Sequence, residues 1–398
     1  MAGTANASDI VPYINCEILL QGDEKKRSRV TIKNIATSKD YLLINIERDR
    51  VTKTIITDLR TDAIKTIPLP TSGKEPIISE AHIIDFTNNG IMVKCESLKQ
   101  PGIYHLYQPD TDIFTPFFET TMPGYNPKDY TIKYMTVIDQ DSEIKMAILY
   151  KTALLKQNGD NPCMINAYGS YGMYAYKNNF DMSPFSLVDR GFIHVVVYPR
   201  GSGFYGNENS PWHIAGQGAK NKRQTADDII TCCQHLARQG YGSLGNYTFK
   251  GGSARGLLAL MLANLAGTTI FKTCIADVPA ADVINQIPQW DYFNAGEFGH
   301  ANNATEFAYM LQYNPYSNIV EKEYPALFVQ IGLRDDRIPV WAPLSCVAKL
   351  RDSKTDNNLL LANIDQQGDH FFYNTIQHRA RVHLFILYCY DLLAKIEK

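Results

Sequence analysis

The sequence has no apolar run long enough to span a membrane, no Cys-x-x-Cys pair and almost no net charge. Each absence closes something off. A spanning helix needs roughly 20 consecutive apolar residues. Residues 1–9 also lack the basic and apolar stretches of a signal peptide, so the expected compartment is the cytosol. The eight cysteines are Cys16, Cys95, Cys163, Cys232, Cys233, Cys274, Cys346 and Cys389. Without metal-ligand spacing or a secretion signal they read as buried, reduced thiols. No metal and no cofactor is expected. Lys+Arg number 39 against 41 Asp+Glu, a net charge of -2. That gives no electrostatic case for nucleic acid or an anionic membrane surface as the main partner.

What is present is bulk and pattern. The chain has 398 residues, 45% of them hydrophobic, enough for two domains. Up to about Asn126 the pattern is of short alternating strands. Tyr41 to Glu47, Lys53 to Asp58 and Ile64 to Ile67 form one set. Ile83 to Phe86, Ile91 to Glu96, Gly102 to Tyr107 and Ile113 to Phe118 form another, with a turn at Asn88-Asn89-Gly90. The two sets share a Thr-Asp turn, in Arg60-Thr61-Asp62-Ala63 and in Pro109-Asp110-Thr111-Asp112. Evenly spaced strands with repeated turns read as blades of a propeller, and there is room for about two or three.

Pro123-Gly124-Tyr125-Asn126-Pro127 punctuates the chain and sets the expected boundary. It divides an incomplete β-propeller-like all-β region, 1–124, from an α/β domain, 125–398. Beyond it strands alternate with helices. The strands include Cys163 to Ala167, Phe192 to Tyr198, Thr273 to Val278, Ala326 to Gly332 and Leu359 to Ile364. The helices expected are Thr225 to Gln239, Ala254 to Ala266, Ala342 to Arg351 and Asn374 to Ile396. Residues 279–325 read as a long loop. Such alternation means a mostly parallel sheet covered by helices on both faces. Ligands bind at the carboxyl ends of its strands.

Lys250-Gly251-Gly252-Ser253-Ala254-Arg255-Gly256 reads as a strand, a very tight turn and a helix. This is the form of a nucleophile elbow, which holds a serine above the sheet. The pattern Gly-x-Ser-x-Gly has Arg255 where it asks for glycine. A serine nucleophile needs a base within reach and a carboxylate to hold the base, and in this class of fold they follow in the order Ser, Asp, His. The strand ending at Gly332 runs into Asp335-Asp336, and the next runs into Asp365-Gln366-Gln367-Gly368-Asp369-His370. Asp335 is the expected carboxylate with Asp336 its rival. His370 is the expected base, with His378 and His383 as rivals on the final helix. One oxyanion donor is the Ala254 N–H, and the Gly-rich loop at Tyr168 is the place for the second.

These motifs resemble the prolyl oligopeptidase family of serine peptidases, and most its oligopeptidase B branch. The matching stretches are Asn166-Ala167-Tyr168-Gly169-Ser170-Tyr171-Gly172, Pro199-Arg200-Gly201-Ser202-Gly203, Gly251-Gly252-Ser253-Ala254, Gly332-Leu333-Arg334-Asp335-Asp336-Arg337 and His370. The resemblance covers the α/β part throughout, and residues 40 to 120 resemble the last propeller blades. It implies a Ser253–His370–Asp335 triad, with Tyr168 as the side-chain oxyanion donor and short peptides as substrate. Arg337 matches an arginine that binds the substrate backbone in the prolyl branch. Glu297 matches the acidic residue that takes a basic P1 side chain in the oligopeptidase B branch. The departures are Arg255, a glycine (296 or 299) in place of a second acidic residue, Phe204 in place of an acidic residue, and Phe371-Phe372 in place of glycines. Most of the propeller is missing. An oligopeptidase is the leading expectation. A degenerate family member acting as an interaction protein and an esterase-like hydrolase with an open cleft are the alternatives. Oligomeric state is left open.

Overall fold

The computed structural model describes residues 31–48, 51–67, 78–85, 90–139, 142–173, 179–203, 222–286 and 296–393. Cys16, Phe204 and most of the turn before Gly90 lie outside the described residues. Short crossings apart, the described chain forms one compact unit up to Pro127 and another from Lys128 on.

The first unit holds two antiparallel meanders of four strands. Strands β1 (Thr31–Thr37), β2 (Tyr41–Arg48), β3 (Val51–Asp58) and β4 (Ala63–Thr66) form one sheet in that order. Strands β5 (Ile78–Asp85), β6 (Gly90–Glu96), β7 (Ile103–Gln108) and β8 (Ile113–Glu119) form the other. Each is built as a propeller blade is built. Alternation places Tyr41, Leu43 and Ile56 of the first sheet against Ile91, Val93 and Tyr107 of the second, in one apolar cluster. The two Thr-Asp turns are equivalent in the backbone. Asp62 and Asp112 both take the left-handed conformation, with φ of 58° and 56°. Their hairpins close at Asp58↔Ala63 and Gln108↔Ile113. Lys65 and Arg60 of the first hairpin then pair with Asp112 and Asp110 of the second.

The second unit is an eight-stranded sheet between helices. Its strands are β9 (Tyr130–Asp139), β10 (Ser142–Lys151), β11 (Cys163–Ala167), β12 (Ile193–Tyr198), β13 (Tyr247–Gly252), β14 (Phe271–Asp277), β15 (Ala326–Gly332) and β16 (Leu360–Asp365). The order is β16-β15-β14-β13-β11-β12-β10-β9. The strands from β11 to β16 run parallel, and β10 joins them antiparallel through β12. Every residue of β12 and β15 is buried, as expected of strands covered on both faces. The chain leaves β11 for β12 on one side and then returns to β13 on the other. Loops after β11 and β13 therefore open beside each other at a switch point, where sheets of this kind bind ligands.

Five helices of eight residues or more occur among the described residues. They are α1 (Lys222–Arg238), α2 (Ala254–Leu265), α3 (Ala304–Leu311), α4 (Trp341–Ser353) and α5 (Ile376–Cys389). Helix α1 buries Ala226, Ile229, Cys233 and Leu236 at helical spacing, with Phe249, Leu257 and Met261 in the same core. Helix α5 covers the opposite face through Val382, Phe385 and Ile386, and Phe385 stacks on Phe328 with ring centroids 5.2 Å apart. Two expectations need correction. The stretch 279–325 is not only loop: Asn303 caps α3 by accepting hydrogen bonds from the N–H groups of Thr305 and Glu306. The last helix begins at Ile376 rather than Asn374, because Phe372–Asn374 is a 3-10 turn and Thr375 is the cap. Six cysteines, Cys95, Cys163, Cys232, Cys233, Cys274 and Cys346, are free and buried, and burial pushes the Cys346 thiol up to about 12.

A polar row crosses the α5 face of the sheet near the strand ends. Asn363 donates to Gln330, Gln330 donates to Asp277 (2.7 Å), and Lys250 stands 3.9 Å from Asp277. On β12, His194 is buried with its Nδ1 3.4 Å from the Asn166 amide nitrogen. Burial pushes its pKa down to about 4, against about 6.5 in an unfolded chain. His383 on α5 is likewise pushed down to about 4, first by burial and then by Lys250, Arg379 and Arg190. Folding therefore excludes protons from both imidazoles. Their contribution is fully present above about pH 6.5 and is lost as pH falls toward 4. The melting temperature is expected to fall across that window, and to fall less in His194→Gln and least in His194→Gln/His383→Gln. An identical acid slope in the double variant would contradict this.

Candidate active site

Ser253 joins β13 to α2 with φ 60° and ψ -122°. A non-glycine residue there stores on the order of 1–3 kcal/mol of strain, held only when its surroundings over-determine it. They do. The Ser253 N–H donates to the Asp277 carbonyl at 2.8 Å, and the Ser253 carbonyl accepts from Leu257 N–H at 3.1 Å. The sequence pattern asks for a small residue at 255, but the close approach falls one residue later. A Cβ on Gly256 would lie 2.7 Å from Pro279 Cα and 2.9 Å from the Asp277 oxygen. Arg255 finds its room elsewhere. A Cβ on Gly251 would meet the Arg255 Cβ at 2.5 Å and its carbonyl oxygen at 2.4 Å, so the bare Gly251 leaves the space that Arg255 occupies. The arginine neither pushes the helix away nor opens the turn.

His370 lies after β16 and is only 2% exposed. Its Nδ1 is 2.9 Å from both carboxylate oxygens of Asp335, which follows β15. Asp335 Oδ1 also accepts from the N–H groups of Arg337 and Ile338, each at 2.9 Å. That carboxylate is fixed from two sides, as a group that orients an imidazole must be. The rivals are placed otherwise. Asp336 is exposed. His378 is bound to Thr375 and lies 3.2 Å from Asp365, and His383 hydrogen-bonds Ser186 at 2.6 Å. The Ser253 hydroxyl makes no hydrogen bond among the described residues, so the structure pairs His370 with Asp335 and leaves the serine–histidine contact unmade. Catalytic contacts of this type often tighten only when substrate is bound.

The Ala254 N–H has no acceptor among the described residues and opens α2, where backbone donors and the helix dipole favour negative charge. Tyr168 follows β11, half-buried, with its hydroxyl 3.9 Å from the Met173 sulfur. The guanidinium carbon of Arg255 stands 5.6 Å from the centre of the Tyr168 ring. Arg337 is exposed, its guanidinium 4.8 Å from the centre of the Phe371 ring.

Glu297 meets a cation of its own chain. It is 5% exposed and ion-paired with Lys222, which is fully buried. The Lys222 ammonium also donates to the Gly169 carbonyl (2.9 Å) and to Ser170 Oγ (2.6 Å), and it lies 5.0 Å from the centre of the Phe298 ring. Burial pushes the lysine pKa down, and the Glu297 charge pulls it back up. Removing either partner of such a pair strands a buried charge, at about 3–5 kcal/mol. Lys222 thus ties α1 to the two residues after Tyr168. Sequence reasoning missed Lys222 and Tyr373. Lys222 carries no local signal, since its partners lie 52 to 75 residues away.

A strained serine between a parallel strand and a helix, with an ordered histidine–aspartate pair on the loops after later strands of the same sheet, is the arrangement of a serine-type α/β hydrolase. The profile described as "Prolyl oligopeptidase family" matches residues 178–392. Protease 2 of Moraxella lacunata is 33% identical over 258 residues, covering 62% of this chain and 36% of that protein. Dipeptidyl aminopeptidase BI of Pseudoxanthomonas mexicana is 30% identical, covering 63% and 34%. Oligopeptidase B from Leishmania major superposes with a TM-score of 0.79 at 26% identity, over 91% of this chain and 52% of that one. The chain belongs to the prolyl oligopeptidase family of serine peptidases. It matches about a third of the length of these curated relatives and about half of the solved chain.

The elbow makes a sharp demand on Gly256. Alanine there gains about 1 kcal/mol of helix propensity, but its methyl would press on backbone, which costs about 1–3 kcal/mol in a packed core. Gly256→Ala is therefore expected to lower the melting temperature by several degrees. An unchanged or raised melting temperature would show that Gly256 does not carry the close approach.

Proposed function

We propose that this chain is a serine-type oligopeptidase that hydrolyses short peptides through Ser253, His370 and Asp335. The observation that carries the reading is the His370–Asp335 pair, with both carboxylate oxygens 2.9 Å from Nδ1, in the same sheet's loops as the strained Ser253 at the end of β13. Ser253 Oγ attacks the scissile carbonyl as His370 Nε2 takes its proton. Asp335 holds Nδ1–H and stabilises the imidazolium. The oxyanion is received by the Ala254 N–H and the Tyr168 hydroxyl. His370 then gives the proton to the leaving amine, an acyl group remains on Ser253, and water returns through the same steps to release it. Arg337, exposed beside Phe371, is the proposed contact for the substrate backbone.

A preference for Arg or Lys at P1 would rest on Glu297, and Lys222 already neutralises that carboxylate. The proposed specificity is therefore for short peptides without a basic P1 requirement.

A fluorophosphonate probe tests the nucleophile. The wild type is expected to label, Ser253→Ala to lose labelling, and His370→Ala to label at least a hundredfold more slowly. A folded wild type that does not label would overturn the peptidase reading in favour of a binding role. On the labelled enzyme, Arg- and Lys-P1 peptides are expected to be cut within about tenfold of a norleucine-P1 peptide. A hundredfold basic preference would show that Lys222 yields Glu297 to substrate.

A further inference from the structure

Arg255 stands where three parts of the site meet. Its backbone is the second residue of α2, two past Ser253, and its carbonyl and Cβ fill the space beside Gly251. Its guanidinium faces the ring of Tyr168, on the loop after β11. Its charge also acts on the Tyr373 hydroxyl, pulling down a pKa that burial raises. Tyr373 lies three residues past His370, is 7% exposed, and presses on the elbow itself. A Cβ on Gly252 would be 2.8 Å from both the Tyr373 hydroxyl oxygen and its ring carbon Cζ. One side chain therefore faces the loop bearing the oxyanion tyrosine and carries its charge close to the turn that follows the catalytic histidine, from a backbone fixed at the nucleophile.

A tyrosine used as an oxyanion donor must hold its hydroxyl within a few tenths of an ångström of the developing charge. The ring of Tyr168 is the part of the side chain that Arg255 reaches, with the guanidinium carbon 5.6 Å from its centre. A guanidinium against the ring face supplies both restraint and a fixed positive charge, worth more in a half-buried site than in water. Glycine at 255 would remove the guanidinium from the Tyr168 ring.

We propose that Arg255 is a positioning residue for the reaction: it holds Tyr168 in line with the oxyanion and couples that tyrosine to the Tyr373 turn behind His370. The proposal rests on the serine-hydrolase reading above. It reverses the sense of the sequence departure, because the arginine in the elbow becomes a working part of the site.

The test begins with fluorophosphonate labelling of the wild type, whose failure would sink the hydrolase reading itself. Steady-state kinetics on one peptide then compare Arg255→Gly, Arg255→Met and Arg255→Lys, alone and with Tyr168→Phe. Arg255→Gly and Arg255→Met are expected to lower kcat about tenfold with KM within twofold, because the restraint acts in the transition state. Lysine, a cation without the planar fork, should recover part of the loss. On the Tyr168→Phe background the same substitutions should cost less than twofold. Arg255→Met keeps the packing of the stem, so it carries the test if the glycine variant fails to fold. A labelling-competent Arg255→Met with wild-type kcat would overturn the proposal, as would losses that multiply with Tyr168→Phe.

Discussion

The site depends on one constraint, the left-handed backbone at Ser253. That conformation is unfavourable by itself and persists only through its neighbours. The Ser253 N–H bond to the Asp277 carbonyl ties it to β14, and the bare Cα of Gly256 lets α2 lie against Pro279. With those in place, the helix begins immediately after the serine, and the Ala254 N–H that opens it has no acceptor among the described residues. Histidine and aspartate need no such strain. They sit after β16 and β15, neighbours in the sheet with Gly332 opposite Asp365, and the parallel register brings their loops together.

Around this centre the protein buries charge in pairs, and the pairs hold loops. Lys222 with Glu297 fixes the segment after Tyr168, and Arg200 binds Asp228 and Asp139 at the base of the Pro199–Gly203 loop. A buried ion pair is weak evidence for stability, because desolvation offsets much of its attraction. What it provides here is geometry, since breaking either pair would strand a charge beside a loop of the site. Burial pushes the Asp228 pKa up, and the contacts from Arg200 and Gln224 pull it back down.

Much of this was legible in the sequence, and the reasons are physical. Strands such as Ile193–Tyr198 are buried on both faces, so they read as unbroken apolar runs whatever packs on them. The paired Thr-Asp turns were legible because Asp62 and Asp112 sit where the backbone must turn left-handed. Ser253, Asp335 and His370 stood out because strand ends can be located and the order of the three is fixed by topology. What failed to show were contacts made by long side chains across distant sequence. Glu297 reads as a surface carboxylate until Lys222 is placed against it, 75 residues away. Arg255 reads as a defect because the motif template counts residues along the chain, whereas the close approach depends on which face of α2 meets Pro279, and that residue is Gly256. The short helix at Ala304–Leu311 was hidden because a two-turn element carries too little periodicity to separate it from loop.

The central claim is that Ser253, His370 and Asp335 act together on a carbonyl whose oxygen is received by Ala254 and Tyr168. A crystal structure of the protein with a peptide boronate or aldehyde bound measures this most directly. The account predicts a covalent bond to Ser253 Oγ, the Nε2 of His370 within about 3 Å of the adduct, and its oxygen about 2.7–3.1 Å from both the Ala254 nitrogen and the Tyr168 hydroxyl. An inhibitor bound without a bond to Ser253, or an adduct oxygen turned away from Tyr168, would contradict it.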